Sequence, residues 1–270
     1  MEKDVRFSPY FLFTQYSLAT FDKCPLKFKK RYIENLKWEG FPDEMIRRQL
    51  ENGRDFHLLS YRYFSGVDTE VDEKSDLGIW MKKLKEYFKI EKDKIYLPEY
   101  KIRMAEDEMR LEANFDLLIV DNGHIHIYDW KTHSDKKTRN PKKEAERLNN
   151  SLQTMVYMYV LGENSQIITG EKIPLSNIKM SYWQPEEPNI ITTINYNEQK
   201  HLKFKYTLED KIKYIMGYDY SNFDKNQHIN YCKYCEFNWL CNGQKVDFNT
   251  IREHDDFLDE LEWDSIKERF

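Results

Sequence analysis

Asp129 and Lys131 stand two residues apart at the end of His124–Thr132, a segment rich in β-branched and aromatic side chains. Side chains alternate along a strand, so this pair projects to one side together with Ile125 and Ile127, while Trp130 projects to the other. So apolar a face is expected to be buried, where a carboxylate and an ammonium are costly unless paired with each other or with a metal. On the preceding strand Asp116 lies beyond Leu111, Ala113 and Phe115, and a hairpin brings it beside Asp129. Two carboxylates and a lysine around one point suit divalent-metal hydrolysis of a phosphodiester. The carboxylates bind oxygen-preferring Mg²⁺ or Mn²⁺, and the lysine orients or activates the attacking water. A strand-end salt bridge to Lys131 would use the same residues, so the trio alone leaves both readings open.

Further along, Gln153 and Tyr157 are four residues apart and share one helix face, bracketed by Leu152, Met155, Val156 and Tyr159. A glutamine beside an apolar stripe needs a partner, and a base or phosphate of a nucleic acid is one candidate. The four cysteines are unevenly placed: Cys24 stands alone, while Cys232, Cys235 and Cys241 cluster. Scattered structural cysteines rarely give this pattern, and a cytoplasmic chain argues against disulfides. Four thiolates can bind Zn²⁺ or an iron–sulfur cluster, so the pattern does not choose the metal.

These residues need a frame. Ile95–Met104, Met109–Val120 and His124–Thr132 read as strands, the last two joined at Asp121-Asn122-Gly123, a strong hairpin signal. Asn140-Pro141 reads as a cap followed by proline, starting one helix as far as Leu161. Strands are expected at Asn177–Trp183 and Ile190–Tyr196, then a helix over Asn197–Gly217. Ahead of the strands, Ser17 reads as the N-cap of a helix to Lys30 that Pro25 kinks or interrupts. Phe41-Pro42-Asp43 opens a second helix to about Phe64, and Asp76–Ile90 reads as a third. The expected fold is an α/β domain with a mixed sheet flanked by helices, its single βαβ crossover following the third strand. The expected domain spans residues 1–245, with a helical region at about 35–93, and an acidic helical tail occupies 246–270.

The 270 residues are 40% hydrophobic and 15% aromatic, enough for a substantial core and against broad disorder. No apolar run approaches the ~20 residues a membrane span needs, and Tyr10–Tyr16 is too short and polar for a signal peptide, so a cytoplasmic protein without a membrane partner is expected. The net charge of −5 does not advertise nucleic-acid binding. Distribution matters more, because phosphate contacts act locally. Lys23, Lys27, Lys29, Lys30 and Arg31 crowd one segment and Lys136, Lys137, Arg139, Lys142, Lys143 and Arg147 another, while the tail from Glu253 to Glu268 is acidic. Either the tail docks as a solvated helix, or it competes with nucleic acid for the basic segments.

In its motif order the chain resembles the RecB-like branch of the PD-(D/E)XK nucleases, a group that includes CRISPR-associated exonucleases and the AddB nuclease domain. Ser17-Leu18-Ala19-Thr20-Phe21-Asp22-Lys23-Cys24-Pro25 is similar to the opening Ser…Cys-Pro helix, and Gly53-Arg54-Asp55-Phe56-His57 to the Gly-x3-His helix. Asp116 with Asp129-Trp130-Lys131 resembles the Asp…(Asp/Glu)-x-Lys site. Gln153-x3-Tyr157 matches Gln-x3-Tyr, and Cys232-x2-Cys235-x5-Cys241 is similar to the iron–sulfur signature that Cys24 completes. The resemblance implies a restriction-endonuclease-like core. His57, Asp116, Asp129 and the Trp130 carbonyl would hold Mg²⁺ or Mn²⁺, Lys131 would act on the water, and Gln153 and Tyr157 would position the strand. Glu99 would assist from behind the metal ligands, and the four cysteines would hold a 4Fe–4S cluster with a structural role, with Zn²⁺ as the alternative. It further implies a DNA exonuclease acting on single strands or ends in repair, recombination or mobile-element defence. With no Gly-x4-Gly-Lys-(Ser/Thr) loop for ATP, such an enzyme would be free-standing or served by a helicase partner. Two departures stand out: Ala113 where the family often has glycine, and Asp129 where many members carry glutamate. Neither removes a reactive group, which argues against the alternative of an inactive binding module that keeps the fold.

Overall fold

The computed structural model describes residues 4–36, 44–132, 140–233, 235–244 and 246. The basic stretch at Lys136, Lys137 and Arg139 and the acidic tail beyond 246 lie outside them. Helix α1 (Gln15–Lys23) starts earlier than the sequence suggests, because Thr14 rather than Ser17 is the N-cap. Thr14 accepts from the Ser17 N–H and Ser17 Oγ accepts from the Thr14 N–H at 2.9 Å, a reciprocal box that satisfies two otherwise orphaned donors. Pro25 interrupts the helix as expected: Cys24 turns extended at φ −165°, and Pro25 opens a new turn, α2 (Pro25–Phe28).

Helices α3 (Glu44–Phe64) and α4 (Asp76–Tyr87) follow, the latter ending three residues before the expected Ile90. Strands β1 (Ile95–Glu106), β2 (Met109–Asp121) and β3 (His124–Trp130) then form an antiparallel meander. Asn122 and Gly123 have φ of 47° and 74°, the paired positive values that a two-residue hairpin turn needs. The chain crosses over through α5 (Pro141–Asn149), α6 (Leu152–Asn164) and the short α7 (Gln166–Thr169) to β4 (Ile178–Trp183), which lies parallel to β3. β5 (Thr192–Asn195) completes a mixed five-stranded sheet in the order β1-β2-β3-β4-β5. Helix α8 (Glu198–Met216), capped by Asn197, leads to the short turns α9 (Ile229–Cys232) and α10 (Asn238–Asn242). Among the described residues no helix is long and apolar enough to cross a membrane.

Two apolar layers sandwich the sheet. Leu118, Ile125 and Ile127 pack with Leu18, Phe21, Val156, Phe204 and Leu208 from α1, α6 and α8. Leu117, Trp130 and Trp183 pack with Phe56, Phe64, Met81 and Leu84 from α3 and α4. Trp130 and Asp129 therefore part to opposite layers, as the alternation requires.

One expected helix is two. The stretch from Pro141 to Leu161 breaks at Asn150, and Ser151 N-caps α6 by accepting from the Thr154 N–H while its hydroxyl donates to Leu148 O at 2.9 Å. Asn149, Asn150 and Ser151 are weak helix formers whose side chains compete for backbone groups. The restart begins a new helix one residue before Gln153, and that helix carries Gln153 and Tyr157 to the sheet.

Candidate active site

The β1–β2 ladder runs in constant register from Ile95↔Val120 to Glu106↔Met109 but skips one pair, Glu99 and Asp116. Glu99 has φ 48°, a left-handed backbone that a glutamate in mid-strand adopts only under constraint. The facing of both strands slips at this level. Leu111, Ala113 and Phe115 lie in the same apolar cluster as Leu118, whereas strict alternation would part them. Asp116 thus joins the layer that Phe115 also faces, and this answers how a residue of opposite parity reaches Asp129.

Around this interruption the acidic groups gather. Asp116 Oδ2 accepts from the Trp130 backbone N–H at 2.7 Å, which ties β2 to β3 where Asp129 sits. From α3, His57 Nδ1 lies 3.3 Å from Glu99 Oε1 and 3.6 Å from Asp116 Oδ1. Phe56, beside it in the chain and fully buried against Trp80 and Trp183, fixes this part of α3. Glu99, expected to act from behind the ligands, therefore offers an oxygen beside the His57 nitrogen and an Asp116 oxygen: the three donor atoms lie within 4.8 Å of one another.

Asp129, 2% exposed, holds the second half of the site. Gln153 Nε2 donates to Asp129 Oδ1 at 2.6 Å, Lys131 Nζ lies 3.1 Å from Asp129 Oδ2, and Lys131 Nζ donates to Gln153 Oε1 at 3.1 Å. The three side chains close a triangle. The backbone N–H of Lys131 donates to Trp183 O at 2.8 Å, extending the parallel ladder and fixing where its side chain departs. That side chain is 19% exposed, so the ammonium reaches the open side of the site. Tyr157 is only 1% exposed, with its hydroxyl accepting from Gln15 Nε2 at 3.0 Å. Burial, with Asp129 and Asp116 nearby, pushes its phenol well above the ordinary value, so it stays protonated. Its placement suits bracing the carboxylates more than touching a strand.

Burial pushes the Asp116 carboxyl well above the usual carboxylate range; His57 and the Trp130 N–H pull it down, while Asp129 and Glu99 push it further up. Three carboxylates with one imidazole and one ammonium are an unbalanced set of hard oxygen donors, and they fit Mg²⁺ or Mn²⁺ on those grounds. A carboxyl whose folded pKa exceeds its unfolded one costs stability wherever it is ionised. The cost is full above the folded pKa and vanishes as pH falls to the unfolded value. Asp116→Asn, which keeps an acceptor for Trp130, is therefore expected to raise the melting temperature in EDTA at neutral pH, by about 2–4 °C per kcal/mol relieved, and the gain shrinks at acid pH. Thermal melts of both proteins from pH 4 to 8 check this; a variant less stable at neutral pH contradicts it.

Cys24, Cys232, Cys235 and Cys241 line one cavity of about 410 Å³ with Leu26, Lys27, Lys30 and Phe237. Burial raises the thiols of Cys24 and Cys241, and raises Cys235 to about 12 with help from Glu236. Four half-buried cysteines lining one cavity are a donor set that fits a metal or an iron–sulfur group, which binds them as thiolates. Lys27 Nζ pairs with Glu236 Oε2 at 3.2 Å, Arg31 also pairs with Glu236, and His228 Nδ1 lies 3.0 Å from Lys23 O. The N-terminal turn and the cysteine segment are thus already joined.

Two residues at the site were not singled out from sequence. Asn114 donates from Nδ2 to Glu99 Oε2 at 2.9 Å, and Gln15 braces Tyr157. Asn114 is a polar residue in the buried run Met109–Leu118, a signal that existed; Gln15, in the first turn of a helix, gave none.

A sheet that clasps three acids, a lysine and a histidine in this way defines an α/β metal-ion hydrolase site. Residues 12–242 match the family model for the PD-(D/E)XK nuclease superfamily, and the chain belongs to that superfamily, whose members are metal-dependent phosphodiester hydrolases. Among solved structures, the crystal structure of SSO0001 is similar to it at 14% identity and a TM-score of 0.31, covering 76% of this chain and 100% of that one. No curated protein matches the chain.

Proposed function

We propose that this chain is a RecB-like deoxyribonuclease that hydrolyses phosphodiester bonds with Mg²⁺ or Mn²⁺, as an exonuclease on single-stranded DNA or DNA ends, with a 4Fe–4S cluster on its four cysteines. The observation that carries the hydrolytic reading is the Asp129–Lys131–Gln153 triangle beside the His57, Glu99 and Asp116 donors. His57, Glu99 and Asp116, whose donor atoms lie within 4.8 Å of one another, would hold the cation, with Asp129 and the Trp130 carbonyl as further oxygens. A bound cation supplies Lewis acidity and lowers the pKa of water.

The protein's own groups do the rest. Gln153 fixes both Asp129 and Lys131, so the ammonium stands where it can orient a water against the phosphorus. Trp130, locked in the aromatic layer, keeps Asp129 and Asp116 in register. Exposed Lys142 and Lys143 on α5, the helix after the site strand, offer cations for the phosphate backbone. The four cysteines share one cavity, which supports a common metal or cluster, and the motif order favours iron over zinc.

The test is cleavage of DNA and RNA by anaerobically purified protein. Substrates are single-stranded, duplex and circular, labelled at either end. Release of short products from linear single-stranded DNA, with circles left intact, is expected. Cleavage of circles replaces the exonuclease reading with an endonuclease. Binding without cleavage of any substrate favours an assembly module that has kept the fold.

A further inference from the structure

We propose that Asn114 is a positioning residue for the metal centre, holding Glu99 in the orientation that presents its other oxygen to the cation. The inference rests on the reading of His57, Glu99 and Asp116 as metal donors. Asn114 is 4% exposed, in a strand stretch buried on every side. Its Nδ2 donates to Glu99 Oε2 at 2.9 Å, while Glu99 Oε1 faces His57 Nδ1 at 3.3 Å. The two carboxylate oxygens therefore have different duties, one clamped and one turned to the donor group.

The clamp has a direction. A carboxylate oxygen only accepts, so the amide must present its NH₂ to Glu99 and its carbonyl elsewhere. That carbonyl, Asn114 Oδ1, is buried and has no hydrogen-bond partner among the described residues. An apolar side chain would fit a buried strand without an orphaned acceptor, so the amide is retained against its own cost. Glu99 is the residue that needs such a partner. Its backbone sits at φ 48° where the ladder is interrupted, and the pairing that would fix a strand residue is missing there. Ligating carboxylates are held by outer hydrogen bonds of this kind, and loss of such a bond lowers metal affinity about 10–100-fold.

The test is Mn²⁺ binding by the full chain without nucleic acid, read by calorimetry or electron paramagnetic resonance, beside melting temperatures in EDTA. Asn114→Leu and Asn114→Ala both remove the donor but differ in size. Both are expected to weaken Mn²⁺ about 10–100-fold, and the leucine variant, free of the orphaned acceptor, should melt in EDTA no lower than the parent. In a Glu99→Ala background, which removes the acceptor altogether, the same leucine substitution should change affinity less than about 2-fold. Parental Mn²⁺ affinity in either folded variant overturns the inference. So does an equal loss with and without Glu99→Ala, which would mean packing damage. A parent chain that binds no Mn²⁺ instead sinks the metal-centre reading itself.

Discussion

Replacing Asp129 or Lys131 by alanine abolishes cleavage, by at least about 10³-fold for a lost metal ligand or water-activating group, while leaving the fold in place. The two variants should differ in cause. Asp129→Ala removes a donor and frees both Gln153 Nε2 and Lys131 Nζ from their acceptor, so divalent-metal affinity falls along with activity. Lys131→Ala leaves Asp129 bonded to Gln153, so metal still binds and only the chemistry is lost. Asp129→Ala leaves Lys131, whose side chain is 19% exposed, free to turn to solvent, and in Lys131→Ala the buried Asp129 keeps its bond from Gln153. Melting temperatures within a few degrees of the parent are expected. Full activity in a folded Asp129→Ala protein would remove Asp129 from the mechanism.

The second large effect concerns the cysteines. Cys24→Ser or Cys232→Ser should strip the iron, and with it the brown colour and the absorbance near ~400 nm expected of thiolate-ligated iron. A cross-link between the first helices and the last turns closes nearly the whole described chain into one loop. By loop-closure entropy such a link is worth roughly 5 kcal/mol, as for a long-loop disulfide. At 2–4 °C per kcal/mol the melting temperature falls by about 10–20 °C. The Lys27–Glu236–Arg31 cluster keeps the two segments in contact, so the loss is a drop in stability and not complete unfolding. About four irons per chain are expected in the parent; stoichiometric zinc after iron-replete expression would replace the cluster with a zinc staple.

Much of the sheet was legible because its signals are local. Alternation set β2 and β3, and Asn122-Gly123 set the turn between them. Alternation from Leu111, Ala113 and Phe115 alone, however, turns Asp116 away from the Asp129 face, and only the slip of facing beside Glu99 brings it there. What escaped depends on competition between local options or on tertiary constraint. Thr14 and Ser17 are both good N-caps, and only the finished box shows which one starts the helix. The apolar period runs unbroken across Asn150-Ser151, so periodicity predicts one helix where a side-chain cap makes two. Glu99 was read as a secondary residue because nothing in Pro98-Glu99-Tyr100 announces a left-handed backbone. That strain exists only where two strands and α3 meet. Asn114 escaped for the same reason, since its partner is set by that interruption.

The most direct test of the hydrolytic site is hydrolysis by the parent protein as metal is taken away and returned. EDTA-treated enzyme is mixed with end-labelled single-stranded DNA, and Mg²⁺ or Mn²⁺ is then added in steps. Cleavage that is absent in EDTA, rises with the cation and stays absent in Lys131→Ala at every concentration is the predicted result. Cleavage that persists in EDTA, or a folded, DNA-binding protein inert at all concentrations of both cations, would contradict it.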